Sequence, residues 1–111
     1  MSNTTLITKK CVPCEGGIPP LDRDATKNYR SELKLQWEVI DDKKISRLFK
    51  FKNFKEAMAF VNKVAQLAED QGHHPEIYIS WNKVTLELTT HAIGGLSEND
   101  FILASKIEQF L

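Results

Sequence analysis

The chain has 111 residues, 41% apolar and 27% charged, a composition that fits one soluble globular domain with one modest core and excludes two. Fifteen basic and fifteen acidic side chains cancel, so no net field draws the protein to nucleic acid or to an anionic membrane surface. No stretch approaches the ~20 apolar residues of a membrane span. Met1–Ile7 also lacks the basic and apolar regions of a secretory signal, so a soluble cytoplasmic protein is expected.

Residues 1–20 show no sustained period and hold three of the four prolines, which predicts an irregular N-terminal arm ahead of a single domain over residues 21–111. The only two cysteines, Cys11 and Cys14, lie in this arm as Cys-x-x-Cys. That spacing fits half of a zinc site or a redox pair. Zinc needs about four ligands, and no second pair lies nearby. A redox pair belongs at a helix N-terminus, whereas Pro13, Gly16, Gly17, Pro19 and Pro20 surround this one. The arm reading is therefore preferred.

Asp22 is placed to cap a short helix over residues 22–33, with Leu21, Ala25, Tyr29 and Leu33 along one stripe. Leu33, Leu35, Trp37 and Val39 then alternate with polar residues, as in a half-buried strand. Asp41-Asp42-Lys43-Lys44 reads as a turn, and Ile45, Phe49 and Phe51 resume the alternation, with Arg47 interrupting it. Asn53 and Glu56 have capping-box spacing at the start of the strongest predicted helix. Its buried stripe is Phe54, Ala57, Met58, Val61, Val64, Ala65 and Ala68, and Gly72 is suited to end it in a left-handed conformation. Ile77, Ile79 and Trp81, then Val84, Leu86 and Leu88, predict a second hairpin that turns at Asn82-Lys83. Ser97 and Asp100 form a capping-type pair before a last helix carrying Phe101, Ala104, Ile107 and Phe110. The expected fold is α+β. Two ββα units make a four-stranded antiparallel sheet with helices on one face, preceded by a short helix and the arm. Its open sheet face and edges make an oligomer plausible.

All three histidines fall between Glu69 and His91. With Asn82-Lys83 as turn residues, Trp81 faces Val84, Ile79 faces Leu86 and Ile77 faces Leu88, so Pro75 faces Thr90 and His74 faces His91. His91 is thereby expected beside His73-His74. Three readings follow: a zinc site, general acid–base chemistry by imidazoles that titrate near neutral pH, or ordinary surface and strand-end histidines. Adjacent His73 and His74 point to opposite faces in extended chain, which argues against one shared metal.

Glu69, His73-His74-Pro75, Trp81, His91 and Asp100, at these spacings, resemble the signature of pterin-4a-carbinolamine dehydratases. His74-Pro75-Glu76, Trp81-Asn82-Lys83-Val84, Leu88-Thr89-Thr90-His91 and Gly95-Leu96-Ser97-Glu98-Asn99-Asp100 extend the likeness over roughly residues 30–111. The resemblance implies a hydro-lyase that removes water from 4a-hydroxytetrahydrobiopterin to give quinonoid dihydropterin, in the tetrahydrobiopterin recycling that serves aromatic amino acid hydroxylases. It implies a homodimer or homotetramer with no metal and no bound cofactor. By carry-over, His73 and His91 act as the acid–base pair and His74 binds and orients the pterin. Glu69 orients an imidazole or is a solvated helix residue. Asp100 matches an acidic position of the family, although capping with Ser97 is its favoured role. Pro75 holds the preceding backbone extended, and Trp81 is read as hairpin packing ahead of a platform for the ring. Two rival readings keep the fold: a dimerisation cofactor for a transcription factor, and an enzyme acting on a molybdopterin-related pterin.

Overall fold

A computed structural model describes residues 4–11 and 18–111. The elements run α1 (Thr4–Thr8), α2 (Arg23–Ser31), β1 (Glu38–Ile40), β2 (Lys44–Lys50), α3 (Phe54–Gln71), β3 (Glu76–Ser80), β4 (Lys83–Leu88) and α4 (Glu98–Ile107). Short 3-10 turns occupy His91–Ile93 and Glu108–Phe110. The sheet is antiparallel in the order β1-β2-β4-β3, the α+β arrangement expected.

Alternation decides which face is covered. Ile45 and Phe49 of β2 and Val84, Leu86 and Leu88 of β4 point under the helices and are buried. Leu48 and Tyr78 stand exposed on the other face. In α3 the Asn53 side chain accepts from Glu56 N–H at 2.9 Å, and Gly72 closes the helix at φ 67°. The buried stripe of α3 is Ala57, Phe60, Val61, Val64 and Ala68. Three positions differ from expectation. Phe54, the first helical residue, and Ala65 are exposed, and Phe60 takes an inward place with its ring 4.9 Å from those of Phe49 and Phe51.

The predicted strand over Leu33–Val39 is mostly not a strand: β1 begins only at Glu38. Side chains satisfy this segment's backbone in place of a neighbouring strand. The buried Glu108 carboxylate accepts from Lys34 N–H, Leu35 N–H and the Trp37 indole at 2.8–3.0 Å. Arg47 donates to Gln36 O and Arg30 to Trp37 O, both at 2.7 Å. The apolar alternation is still obeyed, since Leu33 and Trp37 are buried.

The second hairpin also turns one residue early. Ser80 pairs with Lys83, Ile79 with Val84 and Ile77 with Leu86, so Trp81-Asn82 form the turn. Asn82 is held from outside the hairpin: it donates through Nδ2 to Phe51 O at 2.9 Å, and its carbonyl accepts Phe51 N–H at 2.8 Å. Trp81 then takes the left-handed conformation at φ 48°. The register moves by two residues, which leaves every side chain on its predicted face.

The stretch read as an irregular arm contains α1, and Leu6 and Cys11 are buried in the main apolar cluster. Lys106 Nζ donates to Ile7 O at 2.6 Å, tying α1 to α4. Farther on, Pro20 passes so close to Gly95 that a Cβ there would lie 2.7 Å from the proline ring. Cys14 lies outside the described residues.

Candidate active site

The αL turn at Gly72 releases the chain from α3 and sends two consecutive side chains in opposite directions. His73 goes inward: its side chain is 12% exposed, and Nε2 lies 2.6 Å from Asp100 Oδ1. His74 goes outward, with Nε2 2.6 Å from Glu69 Oε2, and both of those side chains are exposed. The sequence expectation that adjacent histidines diverge is met, and the acidic partner of His73 is Asp100 while Glu69 serves His74.

Asp100 is fully buried at the third position of α4. A buried carboxylate is costly unless it is surrounded by donors. Here Oδ2 accepts Thr90 O–H at 2.8 Å and Ser97 N–H at 3.0 Å, while Oδ1 faces His73. The helix N-terminus adds favourable dipoles. An ionised carboxylate only accepts, so His73 carries its proton on Nε2 and leaves Nδ1 without a partner among the described residues. Asp100 therefore caps α4, as its spacing from Ser97 predicts, and also orients an imidazole.

His91 opens a 3-10 turn that begins after β4 and ends at Gly94, φ 70°. Thr90 and Gly95 bridge the base of this turn, with Thr90 N–H donating to Gly95 O at 2.8 Å. His91 is 76% exposed, and its Nε2 lies 3.7 Å from Glu76 Oε2. It does not face His74 across a ladder. The curl of the 3-10 turn brings it to the same place.

His73, His74 and His91, with Thr90 and Asn99, line one open cavity of about 250 Å³. That is slightly under the ~300–1,000 Å³ usual for small-molecule sites. Pro75 links the histidine pair to β3. Trp81 is not brought to the cavity. It sits, 63% exposed, at the hairpin tip, the whole length of β3 away. Among the described residues no group of three or more His, Cys, Asp or Glu is arranged to hold a metal ion. Sequence reasoning missed Thr90 and Glu76. Thr90 borders His91 but has no spacing signal of its own, and Glu76 reads as an outward strand residue.

Cys11 lies behind the site. Its N–H donates to Gln71 Oε1 at 2.9 Å, and its thiol to Asn99 O at 3.6 Å. Burial pushes that thiol up to about 11.

Residues 19–110 match the family model described as pterin 4 alpha carbinolamine dehydratase. The chain belongs to this family. A protein of Alkaliphilus metalliredigens, provisionally named a pterin-4-alpha-carbinolamine dehydratase, is 52% identical over 104 residues, 94% of each chain. A Rickettsia canadensis protein with the same provisional name is 48% identical, over 95% of this chain and 96% of its own. Among solved structures, a transcriptional coactivator/pterin dehydratase from Brucella melitensis superposes with a TM-score of 0.76 at 33% identity, over 81% of this chain and 96% of that one. A pterin dehydratase-like RuBisCO assembly factor of the alpha-carboxysome shares the fold, with a TM-score of 0.59 at 20% identity over 68% and 89% of the two chains.

Proposed function

We propose that this pterin dehydratase family member removes water from 4a-hydroxytetrahydrobiopterin by histidine acid–base catalysis. The observation that carries the reading is the shared cavity of His73, His74 and His91, with His73 held on buried Asp100. In the reaction the C4a–O bond breaks as the hydroxyl takes up a proton and leaves as water. A ring nitrogen loses its proton, and that electron pair closes the new C=N bond of the quinonoid dihydropterin. The two proton movements cancel, so no redox partner is needed. A positioned acid or base of this kind contributes ~10²–10⁴-fold.

His73 and His91 exchange these protons, His73 through the Nδ1 that Asp100 leaves free. His74, steadied by Glu69, contacts and orients the pterin, and Pro75 keeps the histidine pair extended ahead of β3. The setting is cytoplasmic tetrahydrobiopterin recycling beside aromatic amino acid hydroxylases, by a homodimer or homotetramer. The description of the Brucella melitensis neighbour as a transcriptional coactivator/pterin dehydratase favours a second reading, in which the same chain also meets a protein partner.

Ultraviolet absorbance of freshly generated 4a-hydroxytetrahydrobiopterin tests the main reading. The purified protein is expected to accelerate dehydration well above the spontaneous rate. A folded protein that leaves that rate unchanged would sink the assignment.

A further inference from the structure

A second cavity, of about 720 Å³, opens where the chain leaves the sheet ahead of β1, and it shares no lining residue with the histidine cavity. Arg30 and Arg47 reach it from α2 and β2, and Glu38, Val39 and Leu48 form much of the remaining wall. We propose that it binds a small oxyanion, a carboxylate or a phosphate, between the two guanidinium groups.

The segment before Glu38 makes no ladder bonds to β2, so its carbonyls are open to side-chain donors. Arg47 Nη1 donates to Gln36 O and Arg30 Nε to Trp37 O. These anchors hold two guanidinium groups at one cavity while using a single donor of each. A guanidinium has five N–H donors. The rest of each fork has no hydrogen-bond partner among the described residues, and neither arginine pairs with a described carboxylate. The Arg47 guanidinium also lies 5.4 Å over the Phe49 ring, and its Nε is buried without a partner, so this cation is partly dehydrated.

Glu38 lines the cavity but forms no ion pair there, which leaves a formal charge of +1 from two cations and one anion. Fixed guanidinium forks match the two-oxygen edge of a carboxylate or phosphate and attract it with charge-assisted bonds. Because carbonyls already hold them, little side-chain freedom is lost on binding. The ligand is thus an oxyanion with a small apolar portion, to lie against Val39 and Leu48.

The test is a nuclear magnetic resonance titration of the whole protein with inorganic phosphate, with acetate, and with sodium chloride at matched ionic strength. Saturable shifts of the Arg30 and Arg47 Nε–H signals and the Leu48 amide, with phosphate or acetate but not chloride, are expected. The anion that saturates first identifies the ligand class. Arg30→Lys and Arg47→Lys keep the charge but replace the planar five-donor fork with a compact ammonium, so binding should weaken about tenfold. His73→Ala should bind the anion as the wild type does, which separates this result from the fate of the dehydratase reading. Absence of saturation with both anions, identical shifts with chloride, or undiminished binding in both lysine variants would overturn the proposal.

Discussion

Asp100 satisfies three donors with two oxygens, and that economy explains why the last helix begins where it does. One oxygen closes the cap on Ser97 and holds Thr90, and the other fixes the tautomer of His73. Asp100→Asn can still accept on one side but presents an amide on the other, so the imidazole loses its partner or flips. We predict a fall in dehydration rate on the order of 10²-fold, with a far-ultraviolet spectrum like that of the wild type. Glu69→Gln should cost only a few-fold, because solvent screens the exposed Glu69–His74 pair. Equal losses in the two variants would contradict the division between an inner and an outer histidine. Cys11 offers a second residue-scale prediction. Its thiol titrates near 11 in the folded protein, against an ordinary value of 9.0, because burial disfavours the thiolate. The folded state therefore keeps a proton that the unfolded chain releases, and stability drops as pH rises through this window. Urea melts at pH 8 and pH 10.5 should show a larger loss for the wild type than for Cys11→Ala; equal losses would refute it.

Among the elements, Glu108 shows how a tertiary contact redirects local preference. Alternation over Leu33–Val39 is a sound strand signal, and the inward residues do go inward. Yet a carboxylate more than seventy positions later takes the amides that a ladder would need. Nothing in the local pattern announces that partner. Glu108→Ala would strand two backbone N–H groups and an indole, at a cost of about 3 kcal/mol, read as a lower urea midpoint. A change below about 0.5 kcal/mol would mean that water replaces the carboxylate freely. The hairpin teaches the same lesson. Asn-Lys is a reasonable two-residue turn, but Asn82 is tethered to Phe51, so the turn falls on Trp81. The two ββα halves, the α3 caps and the inward faces were legible because they rest on periodicity and short-range hydrogen bonds. The meeting of the three histidines was legible as a neighbourhood. The route to it was not, because His91 arrives through a 3-10 turn and not by pairing with His74. Trp81 belongs to the signature but stands about 17 Å of strand from the cavity. Its place in the motif therefore does not translate into a place in this chain's own site.

At the scale of the molecule, one face of the sheet carries the helices, and on the other Leu48 and Tyr78 stand exposed among the described residues. β3 is an edge strand, and Tyr78 and Ile79 on it, with Trp81 just beyond, are all exposed. Exposed apolar edges invite pairing with another chain. If the proposed homo-oligomer forms through this edge, Ile79→Lys should shift the sedimentation-velocity distribution toward monomer; an unchanged distribution would rule this edge out as its interface. The N-terminal helix and Cys11 pack on α4 and on the end of α3, the elements that carry Asp100 and lead into His73. The histidine cavity is thus supported from behind by a segment that looked peripheral in the sequence. The central claim is that His73 and His91 move the protons, and it is tested most directly by dehydration rates of His73→Ala and His91→Ala beside the wild type. Both variants, folded and of unchanged oligomeric state, are predicted to lose at least ~10²-fold. Wild-type rates in either one would contradict the account.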